Sequence, residues 1–61
     1  MKTIKDILIR RDDMTPEDAH KLMLAAKKQL AAYLADGELD LAENICAEFF
    51  NLEPDYIFEL L

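Results

Sequence analysis

The sequence contains no serine, and in 61 residues it has one glycine (Gly37), one cysteine (Cys46), one histidine (His20) and two prolines (Pro16, Pro54). Without serine there is no serine nucleophile. One glycine cannot build a glycine-rich phosphate loop. One cysteine precludes a disulfide within the chain, and one Cys with one His leaves only carboxylates to complete a tetrahedral zinc site. Catalytic, cofactor-binding and metal sites are therefore all expected to be absent. His20 and Cys46 are the one base–nucleophile combination the composition offers. Cys46 falls on an apolar stripe, where a buried, inert thiol is expected, and His20 reads as an exposed or edge residue. The lone thiol fits a reduced, cytoplasmic setting. No apolar run approaches the ~18–20 residues needed to span a bilayer, and Met1–Arg11 is too short and too interrupted by charge for a signal peptide.

What the chain does have is apolar residues (52%) and charge (33%), so it should fold rather than stay disordered. Residues 1–61 make one small domain. A chain of this size hides only ~60% of the surface its unfolded form exposes, so stability is marginal, and a second copy is one remedy. The net charge of −6 is unevenly spread. Residues 1–11 carry +3, residues 12–36 carry −2, and residues 37–61 carry −7 with no basic residue. An acidic body disfavours nucleic-acid binding by counterion release. The positive first segment could meet the negative last one, within a chain or between two.

Periodicity predicts an all-α domain of three to four helices. Ile4, Ile7 and Leu8 suggest a short helix over residues 2–11. Thr15-Pro16-Glu17-Asp18 reads as a helix start: Thr15 caps the amide of Asp18 with Asp18 reaching back, Pro16 takes the first helical position, and both acids sit at the positive end of the dipole. This long central helix, about residues 16–36, should stop at Asp36-Gly37. Its core stripe is Ala19, Leu22, Met23, Ala26, Leu30, Tyr33 and Leu34. Leu24, Ala25, Ala31, Ala32 and Ala35 add apolar surface beyond that stripe, and Glu17 and Lys21 are spaced for an ion pair. A third helix should run from Glu38–Asp40 to Phe50 with Leu39, Ala42, Ile45, Cys46 and Phe49 inward, ending at Asn51. Pro54 opens a fourth, short helix to Leu61, with Ile57, Leu60 and Leu61 inward.

The aromatics leave two readings open. Phe49 and Phe50 are adjacent, and Tyr56 and Phe58 diverge from Ile57 and Leu60. Phe50, Tyr56 and Phe58 either form an exposed patch rimmed by acids, the mark of a partner surface, or are wrapped into the core. With Leu24 and Ala31 they are the candidate partner or dimer surface.

Two resemblances follow from longer stretches. Ile4-x-x-Ile7-Leu8, Arg11-Asp12-x-Met14-Thr15, the acidic helix start and Leu52-Glu53-Pro54-Asp55-Tyr56-Ile57-Phe58-Glu59-Leu60-Leu61 resemble a group of short, acidic, all-helical proteins carried by bacterial prophages and mobile elements. That resemblance implies origin more than chemistry. Residues 45–57 are also similar to the closing helices of phage-repressor-like helix-turn-helix domains, which implies a C-terminal helix-turn-helix-like pair that completes a core and does not read bases.

The expectation is a non-enzymatic interaction or regulatory protein, a homodimer, with a host or phage protein as possible partner. Two other readings stand beside it. One is a DNA-associated regulator with a helix-turn-helix-like C-terminal half. The other is an acidic nucleic-acid mimic blocking a basic groove of a host protein.

Overall fold

Thr3 and Thr15 hold extended backbone, and each accepts, through Oγ1, the amide three residues on: Asp6 N–H and Asp18 N–H, both at 3.1 Å. They open α1 (Ile4–Arg11) and α2 (Pro16–Ala35) in a computed structural model that describes residues 3–61. Residue 2, expected at the start of α1, lies outside the described residues. Pro16 occupies the first turn of α2, as its missing N–H and fixed φ favour. The described bonds at this start include the one accepted by Thr15, without a reciprocal one from the Asp18 side chain.

Gly37 ends α2. It sits at φ +74°, its N–H reaches Leu34 O at 3.2 Å, and Glu38 N–H reaches Tyr33 O at 2.8 Å. These two bonds satisfy carbonyls left open by the last turn. A Cβ at Gly37 would meet nothing within 4 Å, so the requirement is the backbone angle and not space. The chain continues into α3 (Leu39–Glu43) and α4 (Ile45–Phe50), and then a 3-10 helix over Pro54–Glu59. No strand occurs among the described residues.

Two expected elements are corrected. The single third helix is broken at Asn44 (φ −94°, ψ 6°) into α3 and α4. Asn competes poorly for helix interiors because its side chain bonds local backbone. Ala42 from α3 and Ile45, Cys46 and Phe50 from α4 reach the core. The last helix is a 3-10 turn rather than an α-helix, and at six residues it is a short piece of the kind that geometry usually forms. It packs on α4 across the Asn51–Glu53 turn, giving the helix-turn-helix-like closing pair. Asn51 supplies the left-handed residue (φ 54°) that ends α4.

The core is Ile4 and Leu8 of α1, Ala19, Ala26 and Leu30 of α2, Ala42, Ile45, Cys46 and Phe50, and Leu60. Leu22, Met23, Tyr33 and Ile57 pack on it half-buried. Leu34, Leu39 and Leu61, expected inward, are 45%, 61% and 79% exposed. Leu34 lies ~40° around α2 from Leu30, past the side that α4 covers through Tyr33 and Glu48. Leu39 precedes the Asn44 break and does not share the inward face of α4. Leu60 takes the last buried position, leaving Leu61 outside.

Two polar contacts tie the chain's ends. The guanidinium of Arg11 donates to the carbonyl of Phe50 and, at 3.3 Å, to that of Asn51. The Glu59 carboxylate accepts the Ile4 N–H at 3.0 and 3.3 Å. Thus α1 carries a cation onto the negative end of α4 and receives an anion at its own positive end.

Candidate interaction surface

The five residues singled out from the sequence do not form one surface. Phe50 is 2% exposed and belongs to the core, which corrects its place in the candidate patch. It follows Cys46 by four residues on the buried face of α4, and Phe49, expected inward, packs on the core only half-buried. Its ring lies 6.2 Å from that of Phe50. Tyr56 is half-buried against the core. Phe58 remains 59% exposed, beside the 79% exposed Leu61. Leu24 (51% exposed) and Ala31, also exposed, lie on the outer face of α2.

The fold therefore presents apolar side chains in two places. One is the C-terminal segment, in which Phe58 and Leu61 are exposed, as are Glu53 and Asp55. The other is the outer face of α2, with Leu24, Ala31 and Leu34; Leu39 and Leu41 of α3 are exposed as well. Sequence reading missed Leu34, Leu39 and Leu41 as surface residues. A signal existed for the last two: residues two apart on a helix point ~200° apart, so one of Leu39 and Leu41 had to face out.

The electrostatics are lopsided. Among the described residues the salt bridges are Arg11–Asp12 at 2.9 Å and Lys21–Glu17 at 3.4 Å, so no acid beyond residue 37 meets a cation. Glu48 instead accepts the Tyr33 hydroxyl at 3.1 Å. Partial burial, then this bond and the nearby negative charge, push the Tyr33 phenol up from its usual pKa. Arg11 grips Asp12 through two bonds of 2.9 Å. That grip holds the Asp12 carboxyl below the usual carboxylate range.

Chemistry-bearing groups do not converge. His20 is exposed on α2, whereas Cys46 is buried on α4. Burial, with Glu59 adding to it, pushes the Cys46 thiol up, opposite to the activation a nucleophile needs. No three His, Cys, Asp or Glu side chains among the described residues are placed to hold a metal. A shallow groove of about 340 Å³ along α1 is lined by Asp6, Ile7, Arg10 and Arg11, the last already engaged by Asp12 and α4. No helix among the described residues is long and apolar enough to cross a membrane.

The chain matches no known protein family, curated protein or solved structure.

Proposed function

We propose that this is a small, non-enzymatic interaction or regulatory protein of a bacterial prophage or mobile element. It works in the cytoplasm as a homodimer and presents its C-terminal edge to a host or phage protein. One observation carries the reading: Phe58 and Leu61 are 59% and 79% exposed on a half of the chain that has seven acids and no basic residue. A large exposed aromatic beside charge of one sign suits a partner that is apolar at its centre and basic at its rim. Directly upstream of the closing pair lie the single long helix α2 and the acidic α3, with no short, basic helix to read bases, which speaks against the DNA-associated regulator.

The test is capture from a bacterial lysate with wild-type protein and with Phe58→Glu, followed by mass spectrometry. The reading expects a stoichiometric protein lost with the variant; identical captures would sink it. The seven acids from residue 38 on, with no basic residue among them, favour a second reading, the nucleic-acid mimic. In that case the captured protein binds DNA, and duplex DNA displaces it competitively. Direct gel-shift of DNA by the protein itself at physiological salt would instead revive the regulator.

A further inference from the structure

The closing 3-10 helix leaves one edge uncovered. In that geometry side chains three residues apart eclipse one another, so Asp55 and Phe58 stand on the same edge, about 6 Å apart along the axis. Both are exposed, Phe58 by 59%. The shallow groove along α1 carries the complementary pair at a similar spacing. Ile7 and Arg10 both line it, about 4.5 Å apart along the helix axis. Arg10 is exposed, with no acid within 4.0 Å among the described residues. Asp6 lines the other end of the groove, and Arg11 is already engaged by Asp12 and α4.

We propose that a second copy of the chain fills this groove, its Phe58 on Ile7 and its Asp55 against Arg10, and that the filling is reciprocal. This deepens the homodimer reading and rests on it. Charge sets the direction. With Phe58 seated on Ile7, Asp55 points toward Arg10 in one orientation and toward Asp6 in the other, so attraction and repulsion select the same register. The edge brings no cation of its own, since residues 37–61 hold none. Groove and edge are also neighbours: Glu59, next to Phe58, holds the Ile4 N–H at 3.0 Å, and Ile7 follows Ile4 by about one turn. A twofold axis beside that contact therefore brings both grooves and both edges into one isologous interface. The interface is small, so the dimer is weak and forms with rising concentration. A host or phage protein that takes the C-terminal edge displaces the second copy, so self-association sets how much of that edge is free.

Sedimentation equilibrium from about 5 to 500 µM, with circular dichroism to check folding, tests the pairing on wild type, Phe58→Ala, Arg10→Glu and Asp55→Arg. All substituted positions are exposed, so each variant should keep its helical spectrum. Wild type should be monomeric at the dilute end and dimeric at the concentrated end. Phe58→Ala should weaken dimerisation about tenfold. Arg10→Glu places acid against acid twice, and Asp55→Arg places base against base twice, so each alone should weaken it by at least about as much. Mixed in equal amounts, the two charge variants should recover it, because their heterodimer keeps Arg10 facing Asp55 at one contact and sets the introduced acid against the introduced base at the other. A wild-type monomer throughout the series would overturn the homodimer reading and this interface together. A wild-type dimer indifferent to Phe58→Ala and to both charge reversals would overturn the interface alone. Charge variants that lose the dimer and do not recover it on mixing would overturn the pairing of Arg10 with Asp55. A mass that climbs beyond two chains would overturn the reciprocal closure.

Discussion

Glu59 caps α1 from the far end of the chain: its carboxylate accepts the Ile4 N–H at 3.0 Å, across 55 residues. The first helix thus has its starting turn closed twice, by Thr3 from beside it and by Glu59 from the C-terminal 3-10 helix. A helix of eight residues is too short to stand alone in water. Its stability comes from Ile4 and Leu8 in the core and from these closures.

Removing that carboxylate should therefore loosen both ends of the chain. Glu59→Ala should cost about 1.5–3 kcal/mol, the range for a hydrogen bond to a charged group. Glu59→Gln keeps an acceptor and should cost less. The check is urea unfolding, reading a lower midpoint at unchanged slope, with faster hydrogen exchange at the amides of Ile4 and Lys5.

The cap of the long helix is a local device and should behave as one. Thr15→Ala removes the acceptor of the Asp18 N–H and should cost ~1 kcal/mol, while Thr15→Asn or Thr15→Asp should keep most of the stability. An unchanged denaturation midpoint for the alanine variant would contradict the observed start.

Phe50 and Phe58 are eight residues apart and energetically opposite. Phe50→Ala opens a hole in the core and should cost about 3–5 kcal/mol, comparable with the whole stability of so small a domain, ~0.05–0.15 kcal/mol per residue. Phe58→Ala removes a side chain that is 59% exposed and should leave the thermal midpoint nearly in place. Circular dichroism melts of the two variants at equal concentration distinguish them.

Asp12 ties stability to acid pH. Its carboxyl is held below the usual range by the bonds from Arg11, so the folded state binds its proton less readily than the unfolded chain does. The benefit is complete above the unfolded pKa of ~3.9 and disappears as pH falls through the lower folded value. Between pH 5 and 2, as approximate limits, the melting temperature of wild type should fall more steeply than that of Asp12→Asn. Arg11→Lys should lower stability even at neutral pH, because an ammonium cannot hold Asp12 with two bonds while reaching the carbonyls of Phe50 and Asn51.

Cys46 does the converse at alkaline pH. Its buried thiol is pushed up, so the folded state keeps the proton longer than the unfolded chain. The resulting stability is full below the unfolded pKa of ~8.5 and is lost as pH rises through the folded value. Cys46→Ala should melt lower at neutral pH but show a shallower decline above about pH 9. In wild type, a thiol reagent should label Cys46 only as fast as the protein opens, and its rate should rise with denaturant.

The residues that act on their own neighbours were legible in the sequence. Thr15, Pro16, Gly37 and Asn51 fix where α2 begins and where α2 and α4 end, because capping and left-handed turns depend on a few adjacent atoms. Ile4, Leu8, Ala19, Ala26 and Leu30 announced their burial by helical spacing. The tertiary structure alone decided what depends on which helix lies where. Helical spacing puts Leu39, Phe49 and Phe50 all near the Ala42–Cys46 face, and packing alone decided that Phe50 is buried, Phe49 half-buried and Leu39 outside. Arg11 and Glu59 found partners 39–40 and 55 residues away, contacts set by the packing of α1 across the closing pair. Local sequence determined the helices because their hydrogen bonds close within four residues. The surface left exposed was decided by packing, because burial depends on every element at once.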